Sequence, residues 1–251
     1  MLYYFHHPFF ACAHIEMKNM EFETKLKEIV LHTPKVKSFR FPRPSSFDYK
    51  AGQFMFITIK IGEEEARKHF TISSSPTERD FIEFTKKLTG HWFSDALDAL
   101  KPGDWAKIAG PYGNFTFEGE IEKIGMLSGG IGITPLRSIC RYCTDRHLDT
   151  KITLLYGNNT EKEIVFREEL EEMQEQNKNL KVVFTIGEAS ESWTGYTGRI
   201  NAEMIIKEIP DYKERTFYTC GPPAMVEAME NLLKNLNIPQ EKIKKENFSG
   251  Y

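Results

Sequence analysis

A β + α/β fold is predicted by three features of the sequence. Short β-prone runs punctuated by turns fill the first half, strand and helix patterns alternate after Gly119, and a glycine-rich stretch at residues 126–135 joins a strand to a helix. Closely spaced strands with turns between them build an antiparallel β-barrel. Regular β–α alternation builds a doubly wound parallel sheet. The 251 residues suffice for two domains of ordinary size. The expected division is an N-terminal arm at residues 1–19, a barrel domain at 20–119 and an α/β domain at 120–251, with the boundary near residues 117–122.

Along the chain, the arm MLYYFHHPFFACAH ends in small residues but has no basic start, and His6, His7 and Pro8 interrupt its apolar run, which argues against a signal peptide. It reads as a surface arm, ordered or disordered, or as translation from a start upstream of Met17 or Met20. His6, His7 and His14 have no acid or cysteine at ligand spacing, so no metal site is expected. In the barrel, residues 54–59 and 81–85 read as strands, and Pro42-Arg43-Pro44 and Lys101-Pro102-Gly103-Asp104 as turns. In an extended segment ending at Pro76, Lys68 and Phe70 share one face and Thr71 and Ser73 the other. Residues 94–100 read as the barrel's one short helix, with Ser94 as its N-cap. After Gly119, strands at 123–128, 152–156, 182–186 and 216–220 alternate with helices at 134–147, 161–176, 201–207 and 223–236. The acidic run 168–175 is the wet face of its helix.

Composition narrows the function. A net charge of −3, with both signs spread along the chain, argues against nucleic acid or anionic lipid as partner. No apolar run approaches the roughly 18 residues of a membrane span. Cys12, Cys140, Cys143 and Cys220 have neither the density nor the spacing of a disulfide scaffold, which points to a reducing cytoplasm. Cys140 and Cys143 fall inside a predicted helix and read as core packing. Nothing in the sequence sets the oligomeric state.

Chemistry concentrates in two stretches. In the first, Gly129, Gly130 and Gly132 precede Thr134 at the expected N-cap and Pro135 at the expected first helical position. Glycines let backbone N–H groups approach a phosphate, and the helix N-terminus adds partial positive charge. In the second, Lys68-His69-Phe70-Thr71 sets a cation and an aromatic ring at a strand end, equally readable as a strand leading into a turn.

Taken in order, these stretches and five others resemble the ferredoxin–NADP⁺ reductase family. Lys68-His69-Phe70-Thr71 is similar to that family's Arg-x-Tyr-Ser flavin motif, and Gly90-His91-Trp92-Phe93-Ser94 to its pyrophosphate turn. Gly110-Pro111-Tyr112-Gly113-Asn114-Phe115 matches its Gly-Pro-x-Gly-x-Phe, and residues 129–135 its Gly-Gly-x-Gly-x-Thr-Pro. Tyr156-Gly157, Gly198-Arg199 and Cys220-Gly221-Pro222-Pro223 complete a series that covers nearly the whole chain from Phe22. Lys68 replaces a bidentate Arg and Phe70 a Tyr hydroxyl. FAD or FMN therefore stays open, with the Gly90 to Ser94 turn favouring FAD.

The resemblance implies a flavin-binding barrel and hydride transfer from NAD(P)H to flavin, with onward transfer to a ferredoxin, an oxygenase, another protein or a small molecule. Thr71, Cys220 and Tyr251 would be catalytic. Cofactor contacts fall to Lys68, His69, Phe70, Thr71, Ser73, Thr85, Lys86, Gly90, Trp92, Phe93, Ser94, Gly129, Gly130, Gly132, Thr134, Pro135, Gly157, Glu188, Arg199, Cys220, Gly221, Pro222 and Phe248. Tyr251 or Phe248 would cover the flavin face. The four clustered cysteines of an iron–sulfur domain are missing, which would leave such transfer to another protein. After the strand at 182–186, Glu188 and Glu191 with no base before Arg199 favour NADH over NADPH. Two rival readings are an NAD(P)H-oxidising subunit of a larger complex and a non-catalytic nucleotide-binding regulator. Thr71 and Cys220 argue against the second.

Overall fold

A computed structural model describes residues 19–248. The first half contains strands β1 (Met20–Lys25), β2 (Glu28–Thr33), β3 (Val36–Pro42), β4 (Phe54–Ile61), β5 (Glu64–Thr71) and β6 (Phe81–Lys87), helix α1 (Trp92–Ala99) and strand β7 (Trp105–Tyr112). The barrel is two antiparallel sheets, β1-β7-β4-β5 and β2-β3-β6, wrapped around one core. Alternation sends Met55, Ile57 and Ile59 of β4, Phe39 and Phe41 of β3, and Ile82 and Phe84 of β6 inward, where all are fully buried, and α1 adds Phe93 and Leu97. Between the edge strands β5 and β6 the wall closes through a single bridge, Ile72 to Phe84.

The second half runs β8 (Lys123–Gly129), a 3₁₀ turn (Gly130–Gly132), α2 (Ile133–Asp145), β9 (Lys151–Asn158), α3 (Arg167–Gln176), β10 (Leu180–Ile186), β11 (Tyr196–Thr197), α4 (Ala202–Glu208), β12 (Thr216–Gly221), α5 (Pro223–Asn235) and β13 (Ile243–Asn247). They form a parallel sheet in the order β11-β10-β9-β8-β12-β13. Two apolar clusters cover its faces, one including Leu136, Ile139 and Leu170 of α2 and α3, the other Ile205 and Leu233 of α4 and α5. Successive strands leave β8 in one direction through β9 and return on its other side at β12. That reversal is the switch point where open α/β sheets bind ligands.

Three helix starts differ from the sequence expectation. Helix α1 begins two residues before Ser94, with His91 at the N-cap position but making no side-chain capping bond, and the Ser94 hydroxyl accepts the Thr89 N–H at 2.9 Å. Helix α2 begins at Ile133, because the chain enters it through the 3₁₀ turn. Thr134 and Pro135 thus occupy its second and third positions, and Thr134 Oγ1 donates to the Ile131 carbonyl. Proline is tolerated there because first-turn N–H groups have no intrahelical partner. Helix α3 begins only at Arg167, after Phe166 takes a left-handed conformation with φ 60°. Cys140 and Cys143 are both buried against the sheet, Cys140 Sγ lying 3.8 Å from Met126 Sδ.

The halves meet across a polar seam. Arg137 of α2, only 3% exposed, donates to the Ser73 carbonyl at 3.0 Å and pairs with Glu78 and Glu169. Breaking a buried pair of this kind costs roughly 3–5 kcal/mol. A hydroxyl chain runs beside it, from His32 Nε2 to Ser38 (2.7 Å), Thr85 (2.6 Å), Ser73 (2.8 Å) and Glu83 (2.8 Å). The His32 ring packs edge-on against Phe166 at 4.5 Å.

Burial lowers His32 from 6.5 to about 4, helped by Arg40 and Arg137 against the pull of Glu169. The unfolded chain then binds an extra proton between these values. Its stabilisation is complete above pH 6.5 and is lost as pH falls towards 4. His32→Gln is expected to shrink the stability difference between neutral and mildly acidic pH by about 1–2 kcal/mol, allowing for partial exposure. Denaturant melts at the two pH values measure it. A variant that keeps the full acid loss would place that loss elsewhere.

Candidate functional site

Where β5 parts from β6, a cleft of about 540 Å³ opens, within the usual range for small-molecule sites. Its walls are β5, the end of β6, the segment from Thr89 into α1, and residues 246–248. Because β5 is an edge strand, side chains from both of its faces reach the cleft. Lys68 and Phe70 pair with the inward residues Ile57 and Met55, while His69 and Thr71 share the outer face with Phe56 and Phe54.

The cleft is cationic at one end. Lys68 and Lys86 both line it, and Glu246 is the sole acid in the lining among the described residues. Burial, and then the Lys68 charge, lowers Lys86 to about 8. Two ammonium groups held this close in a part-buried cleft favour an anion with more than one charge. Gly90, at φ 71°, has open space around its Cα, and the turn it makes carries His91, Trp92, Phe93 and Ser94 into the wall. Trp92 is 60% exposed at the rim. Phe70 reaches the cleft as the margin of the barrel core, stacked on Phe84 at 4.6 Å and on Phe93 at 6.0 Å.

Of the other candidates, only Phe248 shares this lining. Ser73 and Thr85 face the seam between the halves and bond to each other. Gly129, Gly130, Gly132, Thr134 and Pro135 form the turn at the switch point, with Gly221 and Pro222 opposite at the start of α5. Gly157 lies beside Gly129 in register. Cys220 is fully buried and its Sγ donates to the Gly132 carbonyl at 2.9 Å. Burial and Glu246 push its thiol well above the usual range, so it is neutral. Glu188 and Arg199 are exposed, each just beyond a strand end at the β10 side of the sheet. Phe248 lines the cleft, its N–H donating to the Gly221 carbonyl at 2.9 Å. Tyr251 lies outside the described residues.

Glu246 was not among the sequence candidates. It sits on β13 in register with Cys220, and burial pushes its carboxyl up to about 7. One of its oxygens is buried without a hydrogen-bond partner. It borders both the cleft and a second pocket of about 310 Å³ lined also by Asn114, Phe115, Lys244 and Lys245. A carboxyl half-protonated near neutral pH, beside a cleft, is a functional candidate. No local pattern marks it, since Lys244-Lys245-Glu246-Asn247 reads as a charged, solvated end.

Residues 22–117 match the family model of the oxidoreductase FAD-binding domain and residues 126–231 that of the oxidoreductase NAD-binding domain. NADH-cytochrome b5 reductase 1 of Dictyostelium discoideum is 31% identical over 230 residues, covering 89% of this chain and 80% of that protein. The glycine betaine monooxygenase reductase subunit of Pseudomonas aeruginosa is 31% identical over 88% of this chain, which spans 62% of that subunit's length. In fold, the cytochrome b5 reductase domain of Ulva prolifera nitrate reductase aligns at TM-score 0.79 and 24% identity, covering 90% of this chain and 97% of that one. A ferredoxin NADP⁺ reductase from Neisseria gonorrhoeae aligns at 0.77 and 23%, covering 90% and 98%.

Proposed function

We propose that this chain, which belongs to the ferredoxin–NADP⁺ reductase-like family of FAD- and NAD-binding oxidoreductases, oxidises NADH through FAD seated in the barrel cleft and passes the electrons to a separate acceptor protein in the cytoplasm. The observation that carries this reading is the paired ammonium groups of Lys68 and Lys86 in a cleft that shares Glu246 with the edge of the parallel sheet. A dinucleotide flavin fits there, its pyrophosphate meeting the two lysines beside the Gly90 turn. When bound, the flavin would accept hydride from nicotinamide and release electrons singly or in pairs.

The residues of the chain hold and orient. Lys68, Lys86 and Ser94 would grip the pyrophosphate, with Trp92 beside the adenine. Thr71 and Phe70 would border the isoalloxazine, and Phe248 would shield it from water. The Gly129 to Gly132 turn and the α2 N-terminus would take the pyridine nucleotide phosphates. Cys220 would position that turn through its bond to Gly132. Anaerobic NADH addition to the yellow protein should bleach its visible absorbance. A protein that binds no flavin at saturating FAD would end the reading.

Cys220→Ala is expected to slow flavin reduction about tenfold or more while leaving NADH affinity within about threefold, since a misplaced turn costs mainly transition-state geometry. Stopped-flow reduction against NADH concentration separates the two. A loss confined to affinity would make Cys220 a packing residue.

NADH preference rests on the strand end after Ile186. Arg167 is held there by Glu161 and Glu171 and lies over the Phe184 and Trp193 rings, at 6.0 and 5.8 Å. Glu188, Glu191 and Arg199 are exposed beyond it. Glu188→Lys is expected to raise kcat/KM for NADPH relative to NADH by about tenfold, by removing repulsion of the 2′-phosphate. An unchanged ratio would place that phosphate elsewhere. The relative named as a monooxygenase subunit favours a second reading, in which the chain serves a larger complex. Affinity capture with a stoichiometric oxygenase partner would support it.

A further inference from the structure

We propose that the Tyr156 hydroxyl is a positioning group for the pyridine nucleotide pyrophosphate, acting through the Gly130 carbonyl. This rests on the nucleotide-site reading above and adds to it a residue that lies outside the glycine turn.

The ends of β12, β8 and β9 form one register row, in which Cys220 pairs with Ser128 and Ser128 with Tyr156. Side chains in register on neighbouring strands share a face, so all three rise on the side of the sheet that carries the 3₁₀ turn into α2. All three are fully buried. The outer two hold the turn by its carbonyls, Cys220 Sγ donating to that of Gly132 at 2.9 Å and Tyr156 Oη to that of Gly130 at 2.8 Å. Burial pushes the Tyr156 hydroxyl above its ordinary range, so it stays a neutral donor.

The Tyr156 bond sets the peptide plane that follows Gly130. Gly130 is left-handed, with φ 52°, and a Cβ there would meet no atom within 4 Å among the described residues, so packing does not fix this residue. In a trans peptide the carbonyl and the next N–H point in opposite directions. A Gly130 carbonyl drawn down to Tyr156 therefore turns the Ile131 N–H away from the sheet, where a phosphate oxygen can accept it. The same carbonyl also accepts the Ile133 N–H, so losing the hydroxyl loosens the turn without unfolding it. Ser128 provides the contrast. Its hydroxyl, in the middle of the row, is buried without a hydrogen-bond partner among the described residues. It holds nothing in the turn.

The test compares NADH with ADP-ribose, which carries the pyrophosphate and lacks the nicotinamide. Tyr156→Phe keeps the ring in the core, and it is expected to weaken binding of both ligands about tenfold while the limiting rate of flavin reduction stays within about twofold. FAD content should not change. Ser128→Ala should bind both ligands as the wild type does. If Tyr156→Phe binds them within about twofold of the wild type, or if Ser128→Ala weakens them equally, the hydroxyl only fills the core and the proposal is overturned. Loss of FAD or of the limiting rate together with affinity would also overturn it, by making the bond a support of the whole fold. Calorimetric titration with ADP-ribose needs no flavin, so a wild type that holds no FAD would end the flavin reading while this comparison still decides the role of Tyr156. A wild type that binds FAD but neither NADH nor ADP-ribose would overturn the proposal and leave the flavin site standing.

Discussion

Gly132→Ala is expected to destabilise the protein by about 2–4 kcal/mol and to abolish NADH binding, whereas Gly157→Ala should cost under about 1 kcal/mol. Both glycines belong to the sequence motifs, but only one is sterically required. A Cβ at Gly132 would run into the Cys220 carbonyl oxygen and lie 2.9 Å from the Gly221 Cα. Both obstacles are backbone, so relief requires moving the end of β12 away from β8 at the switch point. At Gly157 the nearest atom to an added Cβ is Thr185 Cγ2 at 3.6 Å, an ordinary contact. Denaturant unfolding and NADH titration of the two variants decide the matter. A Gly132→Ala protein as stable as the wild type would show that the strand ends can separate freely.

The same contrast explains how much of the fold was legible. Runs of aromatic and β-branched residues with turn punctuation identify the strands at residues 54–59 and 81–85. Strand β10 was placed too short because Leu180 lies beyond the run of β-branched residues. Strand β13 was missed altogether, as Ile243–Asn247 carries four polar side chains and is held by parallel pairing with β12. Parallel pairing at a sheet edge is a tertiary effect that no local window contains. The N-caps at Ser94 and Thr134 were misplaced for a related reason. The backbone enters each helix through a tight turn, and these hydroxyls serve neighbouring backbone groups.

The site was legible as motifs and illegible as a shape. Lys68, Phe70, Thr71 and Ser94 fall on one cleft because β5 is an edge strand and α1 follows directly after β6. Ser73 and Thr85 share the same strings yet face the seam, where the hydroxyl chain satisfies them. Glu246 emerges only when β13 brings it beside Cys220 and burial strips its solvent.

Removing both cleft lysines should have the largest effect on the cofactor. Each charge-assisted phosphate contact contributes about 1.5–3 kcal/mol, so Lys68→Ala with Lys86→Ala is expected to weaken FAD binding by about 10²- to 10⁴-fold. The single variants should each lose about half of this free energy. Burial first, and then the Lys68 charge, lowers Lys86, and Lys68→Ala removes the second of these causes. The Lys86 ammonium is protonated below about 8, so wild-type FAD affinity should fall as pH rises through that value. In Lys68→Ala the fall should move to higher pH, since the remaining amine regains basicity. FMN has a single phosphate, and its affinity should fall less than that of FAD in the double variant. Fluorescence titration of the apoprotein with FAD and FMN at pH 7 and pH 9 measures all of these. Unchanged FAD affinity in the double variant would mean that the pyrophosphate is held outside this end of the cleft.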